Sequence, residues 1–266
     1  MITAASKLAV ITGASSGIGF ELAKQFIDHD YDIIIAADTE KVFDAADALR
    51  GKGKNIEPVK ADLSTYDGVE MLYQKIRDCG RPIDAIALNA GVGVGGDFIT
   101  NDLNRELEMI NLNVKSVVQL SKRVIPDMVS RGKGKILFTA SSVSISPAPY
   151  LAVYGATKAF VLSFADAIRE ELKDTGVTIT SLMPNATDTN FFARADMEDT
   201  RVGEMKKDDP ALVAKQGFEA MMDGEAHVYG GSIKSKLMTA SEEIMPENLK
   251  GMMQAAMSKP GSAKHH

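Results

Sequence analysis

The stretch KLAVITGASSGIG, residues 7–19, decides how the rest of this chain is expected to fold. Its first half, Lys7–Thr12, is a short apolar run rich in β-branched residues, as is typical of a strand buried on both faces. Glycines follow at once, and then Ile18, Leu22 and Phe26 recur at helical spacing. The order of strand, glycine-rich turn and helix predicts the first βα unit of a parallel sheet.

The same turn is a candidate site for a dinucleotide. Glycine permits positive φ and lets the backbone approach a ligand closely. The helix that follows offers free N–H groups and a positive dipole to a pyrophosphate. The spacing is G-x-x-x-G-x-G, over Gly13, Gly17 and Gly19, and not the G-x-G-x-x-G of the long-chain dehydrogenases. Many βα turns need glycine for steric reasons alone, but this setting favours dinucleotide binding, with Ser15, Ser16 and Ile18 as further contacts.

Strands and helices continue to alternate along the chain. Predicted strands are Asp32–Ala37, Ile56–Ala61, Ile83–Leu88, Lys135–Thr139 and Val177–Leu182. Predicted helices are Glu40–Arg50, Tyr66–Cys79, Leu103–Val129, which Pro126 is expected to kink or break, and Tyr154–Lys173. This alternation predicts an α/β fold: a three-layer, doubly wound parallel sheet of the Rossmann type with helices on both faces.

We expect one domain over residues 1–266, because no Pro/Gly/Ser-rich linker divides the chain. Residues 7–190 carry the alternating core. Residues 191–255 form a variable segment that would line a substrate pocket, with a helix start at Asp209-Pro210, a short strand at Ala226–Tyr229 and a helix at Met245–Met257. Residues 258–266 are expected to be a disordered tail.

Composition limits the partners. The net charge is -6 and no run of five or six like charges occurs, which argues against nucleic acid or an anionic membrane. The single cysteine, Cys79, cannot form an internal disulfide, which fits a reducing compartment. No leader and no apolar run of about 18 residues is present, so we expect a cytoplasmic protein. We assign no metal, including to the terminal His265-His266.

The stretch Tyr154-Gly-Ala-Thr-Lys158 is the candidate for chemistry. Residues four apart share one helix face, so the lysine would lie beside the phenol. A nearby ammonium favours the phenolate and is expected to lower the pKa of Tyr154, which would let the phenol exchange protons near neutral pH. Alone, such a pair is more often a half-buried ring beside a solvated charge.

Taken together, the motifs of residues 7–190 resemble those of the short-chain dehydrogenases/reductases. The matching residues, in chain order, are Thr12-Gly13-x-x-x-Gly17-x-Gly19, Asp62-Leu63, Asn89-Ala90-Gly91, Asn113, Ser141 and Tyr154-x-x-x-Lys158. Asn113 matches the family's helical asparagine better than Asn111, and Ser142 could replace Ser141 if the loop is one residue short.

The resemblance implies a mechanism and a cofactor site. Tyr154 would be the general acid/base, assisted by Lys158, while Ser141 would bind the substrate oxygen and Asn113 would hold a water of a proton relay. The cofactor contacts it implies are Gly13, Ser15, Ser16, Gly17, Ile18, Gly19, Asp38, Asp62, Leu63, Asn89, Ala90, Gly91, Tyr154, Lys158, Pro184, Thr187 and Thr189. Where the family usually has Pro-Gly after the sixth strand, this chain has Pro184-Asn185.

Cofactor choice depends on the end of the second strand. Asp38 is the only charged residue immediately after that strand, and an acid there accepts hydrogen bonds from a ribose 2′-hydroxyl and repels a 2′-phosphate. We therefore expect NAD(H) to be slightly preferred over NADP(H). If the Asp38 carboxylate points away, Lys41 would be within reach of a phosphate and the preference would vanish or reverse.

The leading hypothesis is an NAD(P)-dependent oxidoreductase acting on a small-molecule alcohol or ketone. Alternatives are a non-catalytic dinucleotide-binding or regulatory protein of the same fold, and a methyltransferase. Met183, Phe191, Phe192 and Met197 suggest an apolar substrate pocket. The resemblance implies a homodimer or homotetramer built on the two long helices, whose expected outer residues are Val117, Val118, Phe160, Val161 and Phe164.

Overall fold

Seven parallel strands form one sheet in the order β3-β2-β1-β4-β5-β6-β7 in the computed structural model, which describes residues 6–51, 54–235, 237 and 245–263. Their bounds are β1 Lys7–Thr12, β2 Tyr31–Ala37, β3 Ile56–Lys60, β4 Ala85–Leu88, β5 Gly134–Thr139, β6 Val177–Pro184 and β7 His227–Gly230. The predicted doubly wound parallel sheet is confirmed, and each predicted strand lies within two residues of an observed one.

Helices connect the strands. They are α1 Gly17–Asp28, α2 Lys41–Leu49, α3 Tyr66–Asp78, α4 Leu103–Ile110, α5 Ser116–Ser130, α6 Ala152–Leu172, α7 Phe191–Arg194, α8 Arg201–Glu204, α9 Pro210–Asp223 and α10 Glu247–Ser258. The predicted start of α9 is confirmed, since Asp209 caps it by accepting a hydrogen bond from the Ala211 amide at 2.8 Å and Pro210 is its first residue.

Two apolar layers cover the two faces of the sheet. Side chains alternate along a strand, so Leu8 and Val10 of β1 join one layer while Ala9 and Ile11 join the other. Helices α3, α5 and α6 close the first layer, and α1, α2 and α9 close the second. Because every strand of the sheet centre is covered on both sides, these strands are almost purely apolar.

The topology opens a crevice at the carboxyl ends of β1 and β4. These two strands are direct neighbours, with Ile11 opposite Ala87, although about 70 residues separate them along the chain. The connection after β1 runs to one side of the sheet and the connection after β4 to the other. In doubly wound sheets this reversal of direction is where ligands bind.

Several sequence predictions require correction. The helix predicted over Leu103–Val129 is not broken at Pro126; it departs from α geometry at a π-helical turn, Asn111–Lys115, where one extra residue is accommodated. Val117 and Val161 were expected on the outer surface but are buried in the core.

The predicted disordered tail is also partly wrong. Within it, the Gly261 amide donates to the Asp199 carboxylate at 2.8 Å and the Ala263 amide donates to the Asp199 carbonyl at 2.9 Å. These bonds hold residues 258–263 against the start of α8. Lys264, His265 and His266 lie outside the described residues. Among the helices that the structure describes, none is both long enough and apolar enough to span a bilayer.

Candidate active site

A cleft of about 320 Å³ occupies the crevice above β1 and β4. Its lining includes every cofactor and catalytic residue predicted from the sequence except Asn113. The fold therefore brings together predicted residues that are up to 176 positions apart in the sequence, from Gly13 to Thr189.

The glycine-rich turn forms one wall. A side chain at Gly19 is excluded, since its Cβ would lie 2.2 Å from the Gly13 carbonyl oxygen, and Gly13 itself has a φ of +68°. The first turn of α1 holds no acidic residue, and the N-cap Ser16 makes no side-chain capping hydrogen bond. The N–H groups of this turn thus face the cleft without a competing anion, an arrangement suited to a pyrophosphate.

Thr12 joins this wall to the loop after β4, a role that the sequence analysis missed. Its buried hydroxyl accepts hydrogen bonds from the amides of Asn89 and Ala90 at 2.9 and 3.0 Å. The Asn89 side-chain amide returns a bond to the Thr12 carbonyl at 3.1 Å, and its oxygen accepts from Thr139 at 3.2 Å. Asn89 therefore fixes the ends of β1, β4 and β5 relative to one another.

Tyr154 stands on the opposite wall, near the start of α6. Only 9% of it is exposed, and it belongs to a third apolar cluster, separate from the two sheet layers, that includes Leu151, Phe192 and Met197. Burial raises the pKa of the Tyr154 phenol to about 12, against the opposing effect of a hydrogen bond with the Ser141 side chain. Ser141 in turn caps the short 3₁₀ turn that follows β5.

Lys158 lies one turn further along α6 and is 5% exposed. Its ammonium donates to the Thr139 carbonyl at 2.8 Å and lies 5.9 Å from the centre of the Tyr154 ring. Burial lowers the pKa of Lys158 to about 8. The expectation of a lowered pKa at Tyr154 is therefore wrong for this structure: removal of the phenol from water raises its pKa.

Asn113 lies in the π-helical turn and outside the cleft lining. Its side-chain oxygen accepts from the Val92 amide at 3.0 Å, and its amide nitrogen donates to the Val92 carbonyl at 2.9 Å and to Thr157 at 3.0 Å. A Cβ at Gly91 would lie 3.1 Å from both the Asn113 oxygen and the Lys158 ammonium. Because Gly91 has no side chain, the Asn113 side-chain oxygen and the Lys158 ammonium can both lie close to its backbone at the cleft wall.

The remaining predicted residues lie along the cleft from the second strand to the sixth. Asp38 is exposed directly after β2 and lines the cleft, whereas Lys41 does not line it. One Asp62 carboxylate oxygen accepts from the Ser64 amide and hydroxyl at 2.9 and 2.7 Å, which shapes the turn after β3. Asn185, which replaces the usual glycine, follows directly on the last residue of β6 and lines the cleft.

A roof covers the part of the cleft near Tyr154. It is built from α7, α8, α10 and the segment that joins α7 to α8, and its apolar lining residues include Phe191, Phe192, Met197, Val202, Met205 and Met257. Phe191, Phe192 and Met197 lie where the sequence predicted a pocket, but Met183 is buried in the sheet core. The prediction that residues 191–255 line a pocket did not single out Met205 or Gln254 and did not reach Met257, because long-range packing brings these side chains here.

This architecture and cleft define a dinucleotide-binding α/β protein, and comparison with known proteins identifies its family. The family model described as short chain dehydrogenase matches residues 7–199. The chain therefore belongs to the short-chain dehydrogenase family of oxidoreductases. An uncharacterized short-chain type dehydrogenase/reductase of Sinorhizobium fredii is 29% identical over 255 residues, which cover 96% of this chain and 86% of the relative.

Solved structures share the fold. A short-chain dehydrogenase from Sphingobium yanoikuyae in complex with NADPH has a TM-score of 0.79 at 24% identity and covers 98% of this chain and 99% of its own. A short chain dehydrogenase/reductase from Burkholderia phymatum in complex with NAD has a TM-score of 0.77 at 23% identity, covering 84% of this chain and 88% of its own. Both nicotinamide cofactors thus occur on this fold.

Burial of Lys158 leads to a testable effect on stability. Its folded-state pKa of about 8 lies below the ordinary 10.5, so the unfolded chain binds the proton more tightly and the wild type is penalised by about 3 kcal/mol below pH 8. Lys158→Met removes this penalty and forfeits about 1 kcal/mol of hydrogen bonding. We expect the free energy of unfolding to rise by about 1–2 kcal/mol at pH 7 in urea denaturation.

The pH dependence supplies the control. Wild-type stability rises as pH increases from about 8 to 10.5, because the folded state loses its proton first. The advantage of the Lys158→Met variant must therefore shrink over this range. A variant that is less stable than the wild type at pH 7, or whose difference from it is independent of pH, would contradict the buried-cation account.

Proposed function

We propose that this protein transfers a hydride between a nicotinamide cofactor and an alcohol or carbonyl substrate. The observation that carries the proposal is that Tyr154, Ser141 and Lys158 converge on one wall of a cleft whose other wall is a glycine-rich helix N-terminus. The rest of the cleft between them is lined by the predicted cofactor contacts, which supports a dinucleotide lying along the carboxyl ends of the strands.

The chain's own groups fit such a cofactor. The close backbone at Gly13 and Gly19 leaves room for a pyrophosphate, and the amides of the first turn of α1 would bind it. Lys158 would donate to a ribose hydroxyl from its buried position. When bound, the nicotinamide supplies or accepts the hydride, while the protein aligns and polarises the substrate.

Tyr154 would handle the proton. With a pKa of about 12 the phenol is protonated at neutral pH, so in the reductive direction it can donate a proton to the substrate oxygen as that oxygen gains negative charge. Ser141, already hydrogen-bonded with the phenol, would donate to the same oxygen and fix its position. The positive charge on Lys158 would stabilise the phenolate that remains. Asn113 would support the return of a proton from solvent through a bound water.

A non-catalytic dinucleotide-binding protein of the same fold is the second candidate. It would need the glycine-rich wall but not Ser141, Tyr154 and Lys158 gathered together beside an apolar pocket. A methyltransferase would likewise have no use for the Tyr154 and Lys158 pair. The complete set of side chains favours turnover.

Tyr154→Phe tests the catalytic proposal. The change removes the proton donor and keeps the ring packing, so we expect turnover to fall by on the order of a hundredfold or more while the dissociation constant of the reduced cofactor is little changed. Turnover is followed by the absorbance of the reduced nicotinamide and cofactor binding by its fluorescence. Tyr73→Phe, on α3 and outside the cleft lining, is the matched control. Nearly normal turnover in Tyr154→Phe would remove this residue from the role.

We also propose that NAD(H) is slightly preferred over NADP(H). Asp38 lines the cleft beyond β2, and Lys41 does not line it, which supports repulsion of a 2′-phosphate over its attraction. Two like charges about 4 Å apart repel by about 4 kcal/mol at an effective dielectric constant of about 20. Solvent screening at an open site reduces this to about 1–2 kcal/mol, or roughly ten- to thirtyfold in affinity.

Asp38→Asn tests the cofactor preference. We expect the wild type to bind NADH roughly ten- to thirtyfold more tightly than NADPH, and the variant to lose most of that ratio because the repelling charge is gone. Dissociation constants are measured by fluorescence titration with each cofactor. Asp44→Asn, on α2 and outside the cleft lining, should leave the ratio unchanged. Equal binding of both cofactors by the wild type, or an unaltered ratio in Asp38→Asn, would exclude Asp38 as the selector.

A homodimer or homotetramer is proposed as the assembled state, in the cytoplasm and without nucleic acid or membrane partners. On the outer face of α6, Phe160 is 40% exposed and its ring stacks on Phe164 at 5.8 Å. Such an apolar pair on a long helix suits a subunit contact.

Light scattering checks the assembly. We expect the wild type to be a dimer or tetramer at micromolar concentration, and Phe160→Glu to shift it toward smaller species because a carboxylate would be buried at the contact. The surface variant Phe43→Glu, on α2, controls for added charge. A monomeric wild type would contradict the proposal.

A further inference from the structure

Phe191 stands next to the candidate proton donor. Its ring centre lies 5.2 Å from that of Tyr154, with the two planes at 54°. The ring of Phe192 packs edge-on against it at 5.5 Å. The Phe191 amide donates to the Thr189 hydroxyl at 3.2 Å, which fixes the start of α7 above the cleft. Two ring contacts and one backbone hydrogen bond thus fix the position of Phe191.

The far edge of the Phe191 ring rests on a glycine of the loop after β4. A Cβ added at Gly93 would lie 2.5 Å from the Phe191 Cζ and 2.9 Å from its Cε2, distances that real atoms do not tolerate. Nearby, the Gly95 amide donates to the Ala195 carbonyl at 2.8 Å, and a Cβ at Gly95 would collide with Met197. Because residues 93 and 95 have no side chains, Phe191 and Met197 of the roof can pack directly against the backbone of this loop.

The Phe191 ring therefore occupies a slot that Gly93, Tyr154 and Phe192 line. Any substrate that brings its oxygen to Tyr154 and Ser141 must place one of its substituents beside this ring. Moving this part of the roof would expose the side chains of Phe192 and Met197, which are buried, and would therefore cost free energy. Other apolar residues of the lining, among them Val143, Leu151, Met197, Met205 and Met257, offer contacts to the second substituent.

We propose that Phe191 limits the size of one substituent, so that the protein prefers ketones, and the matching secondary alcohols, with one small and one large apolar group. Gly93 is the positioning residue that keeps the ring in its slot. This inference rests on the proposed function and adds the substrate class. It assigns to the glycines of the loop after β4 a role in selecting substrates.

Two ketones that differ only on the small side test the inference. Acetophenone carries a methyl group and butyrophenone a propyl group, and two added methylenes in a tight pocket cost on the order of a hundredfold in kcat/KM. We expect the wild type to favour acetophenone by about that factor and Phe191→Ala to raise the butyrophenone to acetophenone ratio by tenfold or more. Phe191→Leu should lie between them, and Phe43→Ala, on α2 away from the cleft, should not change the ratio.

Gly93→Ala provides an independent test of the slot. The new methyl must displace the Phe191 ring from its present position beside Tyr154, so we expect kcat/KM to fall for both ketones while the dissociation constant of the reduced cofactor is unchanged. The double variant Gly93→Ala/Phe191→Ala should recover activity, because the ring that was displaced is gone. Thermal melting of each variant confirms that it is folded.

The outcomes separate the inference from the proposed function. Turnover of both ketones with a ratio that Phe191→Ala does not move overturns the inference and keeps the function. Tighter cofactor binding in Phe191→Ala with an unmoved ratio would mean that the ring occupies cofactor space, which also overturns it. No turnover of either ketone by the wild type and by every Phe191 variant, despite cofactor binding, overturns both.

Discussion

The burial of a lysine ammonium beside a phenol is the constraint on which this structure depends. The Lys158 side chain is buried at the end of β5, where its ammonium donates a hydrogen bond to the Thr139 carbonyl at 2.8 Å and lies against the Gly91 backbone. A cation in that position is costly unless it serves a bound group. The lowered pKa of Lys158 and the raised pKa of Tyr154 have the same principal cause, which is the removal of both groups from water.

The fixed floor and the adaptable roof of the cleft have different physical origins. The floor consists of backbone at strand ends, joined by hydrogen bonds through Thr12, Asn89 and Thr139, and it belongs to the same rigid sheet as the core. The roof consists of short helices and apolar side chains held by packing and by the bonds of Asp199 to residues 261 and 263. A floor and a roof of such different origin can vary independently, and one fold can carry many different sites in this way.

Most of the fold could be predicted from the sequence because its signals are local. The apolar run of β1 and the 3.6-residue period of α1 report directly on burial: the observed bounds of β1 are the predicted ones, and the periodic residues Ile18, Leu22 and Phe26 all lie in α1. The strand alternation placed Ser141 at a strand end, the family resemblance implied that it lies with Tyr154 and Lys158, and all three line the cleft. The π-helical turn at Asn111–Lys115 could not be predicted, because the bonds of Asn113 to Val92 and Thr157 that accompany it are tertiary.

The pKa of Tyr154 could not be predicted either, since spacing reveals the neighbouring lysine but not the loss of solvent around the phenol. The prediction that Met183 lines the pocket was wrong for a related reason. Its place in the sequence next to the site did not reveal that its side chain packs into the sheet core.

The strand order also determines which strand edges are unpaired while the chain is being synthesised. As the chain emerges from the ribosome, β1, β2 and β3 can pair as soon as they are complete, and β4 can then join β1 on its other side. At that stage the apolar strand Ala85–Leu88 is an open edge, since its partner β5 begins only at Gly134 and is preceded by the whole of α4 and α5. Exposed apolar edges recruit strands from other chains. The interval between the completion of β4 and the arrival of β5 is therefore when the nascent protein is most prone to aggregate and has most need of a chaperone.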